Sequence, residues 1–136
     1  MDPQSAGLTA LSRGLAGYLR AVAAAVGVPA EATSFEVSDT VTAYLGLSRR
    51  WPSRPGEDLM LVWSERSGWA VAVETAPDET PVVLAWFAGA EVVPEPAAVA
   101  RFVTGVIEAE RSTAPQPVFA VDVGRTELAA RLARYA

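Results

Sequence analysis

The chain has 136 residues, 51% of them hydrophobic and 20% charged, which suits a single domain with its own core and excludes a disordered chain. Its formal net charge of −5 sets the surface against a phosphate backbone, so no nucleic-acid partner is expected, and no run reaches the length of a membrane span. Histidine, cysteine, lysine and asparagine are absent, which removes the Ser-His-Asp triad, the thiol nucleophile, the ordinary zinc site and the Schiff-base lysine.

Lys, Asn and Ile share AT-rich codons, and Ile107 is the one isoleucine. The bias therefore points to a GC-rich genome, and the all-arginine set of basic residues is weak evidence for anion recognition. Arg20 interrupts the apolar run before Ala21–Ala25, and Asp2 is the sole charge before Arg13. No signal peptide is expected on that pattern, and the cytoplasm is the default location.

In chain order, Leu8, Leu11, Leu15, Leu19, Val22 and Val26 recur at steps of three and four, the stripe of an amphipathic helix over about 6–26. Gly27 suits its C-terminal cap, with Pro29 beyond. Gly14 and Gly17 weaken a helix interior, so they predict an element packed closely on that face. From Thr33 the period changes to two: Phe35 and Val37, then Val41, Ala43, Leu45 and Leu47 after a turn at Ser38-Asp39.

Asp58–Ser64 is apolar nearly throughout, as a central strand would be. Glu65-Arg66-Ser67-Gly68 reads as a hairpin turn with Gly68 at positive φ. Trp69–Glu74 alternates, and a turn over Ala76–Glu79 leads to Val82–Phe87. Short turns between strands mean antiparallel pairing. Pro94 and Pro96 open a helix over about 96–110, with Val99, Phe102, Val103, Val106 and Ile107 on one face. Val118–Val123 suits a short edge strand, and Thr126 caps a last helix to about 135. The expected fold is α+β: a single domain over 1–136, one antiparallel sheet of about five to six strands, and helices packed on one face.

Three segments carry a family resemblance: Glu36-Val37-Ser38-Asp39-Thr40-Val41-Thr42-Ala43-Tyr44-Leu45, Asp58–Trp63 with Gly68-Trp69, and Glu127–Leu132. They resemble a family of small actinobacterial proteins of unknown function. The resemblance implies one domain and an actinobacterial source, and no activity.

The acids in or beside strands are Glu36, Asp39, Asp58, Glu65 and Glu74. No metal-loop or paired-carboxylate spacing joins them, and Glu65 and Glu74 read as solvated edge charges. Trp63, Trp69 and Trp86 read as strand packing, with an open sheet face as the alternative.

Arg49, Arg50, Trp51 and Arg54, in a loop with Pro52 and Pro55, form the candidate binding site. Guanidiniums beside an indole suit an anionic ligand or an acidic partner face. The plainer alternative has Trp51 capping the core while the arginines pair with nearby acids. The expected function is a non-enzymatic binding or regulatory module acting on a protein partner, a small ligand or a second copy in a homodimer. An enzyme built on carboxylate, Tyr or Arg chemistry is the alternative, and a nucleic-acid accessory factor is disfavoured by the acidic pI. No cofactor and no metal are expected.

Overall fold

A computed structural model describes residues 3–47, 58–74, 82–88, 91–109 and 125–136. Helix α1 spans Pro3–Val26, and a short 3-10 turn at Ala30–Ala32 leads into the strands. These are β1 (Thr33–Val37), β2 (Val41–Gly46), β3 (Leu59–Ser64), β4 (Gly68–Val73) and β5 (Val82–Trp86). Helices α2 (Pro96–Ala109) and α3 (Arg125–Leu132) follow, and a 3-10 turn at Ala133–Tyr135 ends the chain. The five strands run in the order β1-β2-β3-β4-β5, antiparallel throughout. That is the expected α+β meander with β3 at its centre. The expected strand at Val118–Val123 and the turn at Ala76–Glu79 lie outside the described residues.

Local chemistry accounts for the ends of these elements. Gly27, at φ 91°, turns the chain out of α1, and the N–H groups of Gly27 and Val28 both donate to the Ala23 carbonyl, closing the last turn. Gly68, at φ 73°, completes the β3–β4 hairpin. The described part of α3 starts at Arg125, so the helical backbone already includes position 126, where the cap was expected.

The two-residue alternation sends Ala43, Trp63 and Trp69, and likewise Leu45, Leu61, Val71 and Ala85, to one face. Helix α1 meets that face through Tyr18 beside Trp69. Helix α2 meets it through Phe102, edge-on to Phe87 at 5.4 Å, and α3 through Arg125 beside Glu65. All three helices therefore cover the same face. Leu11, Leu15, Leu19, Val22, Val99, Val103, Val106 and Leu132 join the strand residues in one buried cluster. On the opposite face Tyr44, Val62 and Trp86 are half-buried around Ala70 and Ala72, which are fully buried.

Within the helix layer α1 packs against both α2 and α3. Its two inner glycines are where α3 and the terminal turn approach. A methyl group on Gly14 would lie 2.8 Å from Cβ of Leu132, and one on Gly17 would overlap the Tyr135 carbonyl. The helix gives up propensity at both positions in exchange for backbone-close packing of the C-terminal segment.

Buried polar groups tie the layers together. Trp69 Nε1 donates to the Tyr18 hydroxyl at 3.0 Å, which donates in turn to the Pro94 carbonyl at 2.5 Å. Trp63 Nε1 donates to the Val92 carbonyl at 2.7 Å. The segment joining β5 to α2 is thereby held against the core by three aromatic residues.

Two consequences are measurable by denaturant unfolding. Gly17→Ala should destabilise by about 2–3 kcal/mol, because the Tyr135 carbonyl must move. Gly105→Ala, with nothing within 4 Å of the new methyl, should stabilise by about 0.5–1 kcal/mol through helix propensity alone. Equal effects at the two sites would contradict the close approach.

Tyr18→Phe should cost about 1–3 kcal/mol, since it strands the Trp69 donor and the Pro94 acceptor. Burial pushes the Tyr18 phenol well above its ordinary value, against the opposing donation from Trp69. The folded chain thus keeps a proton that the unfolded chain releases above a pH of about 10. The stability it contributes is full below that pH and is lost as pH rises beyond it. In the Tyr18→Phe variant the alkaline decline of melting temperature should therefore be shallower.

Candidate functional site

The candidate loop is positioned by the ends of β2 and β3. The Leu47 N–H donates to the Leu59 carbonyl at 3.1 Å, and Leu47 and Leu59 are both buried. The chain thus leaves and re-enters the sheet on adjacent, core-anchored strands. Arg49, Arg50, Trp51 and Arg54 themselves lie outside the described residues.

Two carboxylates stand at the same end of the sheet. Glu74 donates its N–H to the Asp58 carbonyl at 2.8 Å, and its Oε1 accepts from the Tyr44 hydroxyl at 2.9 Å. Partial burial raises the Tyr44 phenol above its ordinary value, and the bond to Glu74 adds to the rise. Tyr44 therefore serves as a neutral donor near neutral pH.

Glu65 departs from the sequence expectation. It is 7% exposed rather than solvated, because the alternation that buries Leu61 and Trp63 carries it onto the helix face. Among the described residues its Oε1 has no hydrogen-bond partner. The cation it meets there is Nη2 of Arg125 at 3.7 Å, on a side chain 35% exposed. The same nitrogen donates to the Ser38 carbonyl in the β1–β2 turn. Arg125 thus pins the start of α3 to both hairpins. Further along α3, Arg131 pairs with Glu91 at 2.6 Å and Glu127 at 3.0 Å.

Of the five acids in or beside strands, Asp58 and Glu74 come together near Tyr44, and Glu65 lies apart from them. Glu65 and Glu74 stand beyond opposite ends of β4, a six-residue strand about 20 Å long, whereas paired glycosidase carboxylates lie within about 10 Å. Glu36 and Asp39 are exposed along β1 and its turn. Among the described residues no group of three or more acids could hold a metal ion. Trp63 and Trp69 are core residues, as their strand positions suggested, while Trp86 is half-buried on the opposite face. Sequence reasoning passed over Tyr18 and Arg125. Tyr18 was legible as the residue between Leu15 and Val22 on the helical stripe; Arg125 carries no such signal.

Residues 18–105 match the model of a family of unknown function, DUF6292, and the chain belongs to that family. The match takes in the segments 36–45 and 58–69 that carry the sequence resemblance and stops short of 127–132. No curated protein and no solved structure matches. Among the described residues no helix is long and apolar enough to cross a membrane.

The Glu65–Arg125 pair makes a testable case of a buried charge with one long-range counterion. Arg125→Ala should cost about 1–3 kcal/mol, because it leaves the carboxylate buried without compensation. Adding Glu65→Met should recover part of that loss, since the penalty belongs to the orphaned charge. A double variant less stable than Arg125→Ala alone, measured in urea, would show that Glu65 is satisfied by other means.

Proposed function

We propose that this chain is a binding module whose contact surface is the loop bearing Arg49, Arg50, Trp51 and Arg54, and whose partner is an acidic protein segment. The observation that supports the reading most is the base of that loop, Leu47 bonded to Leu59 within the buried sheet. Binding residues concentrate on loops held by a rigid scaffold, because the scaffold bears the ordering cost before the partner arrives. The residues carried there are chemically unlike the rest of the chain. Three arginines and a tryptophan fall within six positions of a protein whose net charge is −5. Arginine forks match carboxylates two-to-two, and an indole supplies a large, stiff contact area.

The same sign contrast orients an acidic partner toward this point and away from the remaining surface. Pro52 and Pro55 narrow the loop's conformations and so reduce the entropy lost on binding.

The experiment compares proteins recovered with the wild-type chain, Trp51→Ala, Arg49→Glu/Arg50→Glu and a control, Arg13→Glu, on the exposed side of α1. The expected result is a common acidic partner lost from both loop variants, retained by the control and released by raised salt. All four proteins should melt alike. Retention of every partner by both loop variants would refute the reading. So would a loss of about 3 kcal/mol or more in Trp51→Ala, which would make the indole a core residue.

A further inference from the structure

The two edges of the sheet differ in a way that bears on self-association. Strand β5 is interrupted by a register shift opposite Val71/Ala72, and such bulges twist an edge away from further pairing. Strand β1 has none. Its five residues pair with β2 in unbroken register, and among the described residues β2 is its only partner strand. Ser34, Phe35 and Glu36 are exposed in succession, although α1 packs against part of the strand. Phe35 is 38% exposed, although its neighbour on β2, Ala43, is buried. The strand carries no proline and no basic residue, which leaves Glu36 as its one charge.

We infer that β1 is a self-recognition edge, pairing antiparallel with β1 of a second copy about a two-fold axis at Phe35. The register follows from the sequence of the strand itself. Centring the pair on Phe35 sets Phe35 against its own copy, Ser34 against Glu36, and Thr33 against Val37. Each row is compatible: the aromatic pair shares the helix-side face, the carboxylate meets a hydroxyl donor, and the end rows are β-branched. No like charges stand opposite one another. Moving the register by two residues in one direction sets Glu36 directly against Glu36, which the chemistry opposes. Moving it by one residue would set Phe35 against Ser34 or Glu36 and send the aromatic ring's row to a mixed pairing. The product joins the five described strands of one copy edge to edge with those of the second, and the isologous contact closes on itself.

Sedimentation of the full chain from micromolar to millimolar concentration should show a reversible monomer–dimer equilibrium. Ser34→Arg, placing a guanidinium opposite Glu36 of the partner subunit, should tighten it about two- to tenfold, and Ser34→Glu should loosen it by a similar factor. Position 34 is exposed, so both variants should melt as the parent does. The chain has no cysteine, which allows a second readout. Phe35→Cys puts a lone thiol on the axis, where facing Cα atoms in an antiparallel ladder lie about 4.5–5.5 Å apart, within disulfide reach. Mild oxidation should crosslink this variant and leave Arg66→Cys, on the β3–β4 turn, monomeric. A monomer throughout the concentration range overturns the inference. So does a dimer that ignores the charge at position 34 and fails to crosslink through position 35.

Discussion

One buried hydroxyl connects three parts of this fold that lie well apart in the chain. The Tyr18 OH accepts from Trp69 in β4 and donates to the carbonyl of Pro94 ahead of α2, so helix layer, sheet and connection meet at a single atom. Its two bonds are mutually dependent, because a buried hydroxyl that lost either would leave an unsatisfied group in an apolar setting. The geometry of the remaining contacts follows. With Tyr18 held, the adjacent Gly17 faces the terminal turn, and the Tyr135 ring settles 4.8 Å from that of Tyr18. The C-terminal segment is thus located by the same residue that locates the sheet.

Much of this arrangement was legible in the sequence. The change of period at Thr33, the return to helical spacing after Pro94, and Gly27 and Gly68 at the turns identified the elements and their antiparallel order. Gly14 and Gly17 announced a close neighbour without naming it, since propensity reveals a cost but not the residue that makes it worthwhile. Glu65 differs from its sequence expectation for a physical reason. Alternation gives the face of a residue but not the depth of the layer above it, and here Arg125, the first residue of α3, comes over the turn that follows β3. Thr126 differs because a side chain suited to capping does not by itself fix the first turn. For the candidate site, the sequence indicated its residues and the structure adds its footing, Leu47 on Leu59.

The described acids at the foot of the candidate loop, Asp58 and Glu74, lie at the β2–β3 end of the sheet, and Glu74 is engaged by the neutral Tyr44 hydroxyl. The arginines of α3 are turned to internal pairs: Arg125 toward Glu65 and Ser38, Arg131 toward Glu91 and Glu127. Exposed pairs of that kind add little stability. Their effect is to neutralise positive charge locally, which leaves the run at 49–54 as the concentrated positive stretch of an acidic chain.

The loop and the β1 edge are also geometrically independent. Phe35 is level with Ala43 on β2, and the exit at Leu47 lies four residues further on, or about 14 Å along the strand. A two-fold axis at Phe35 sends the second copy's exit the same distance in the opposite direction. Three strand spacings, about 14 Å, separate the two β2 strands sideways. The loop bases of a dimer would therefore stand about 30 Å apart, at opposite ends of the joined sheet. No single short segment could span both, so dimer formation would leave the intrinsic affinity of each loop unchanged. A partner with two acidic segments, in contrast, would gain from the doubled site through effective concentration. Self-association would then act on avidity rather than on the chemistry of the contact, so variants at Ser34 and at Arg49 should combine additively toward a partner with one acidic segment and non-additively toward a partner with two.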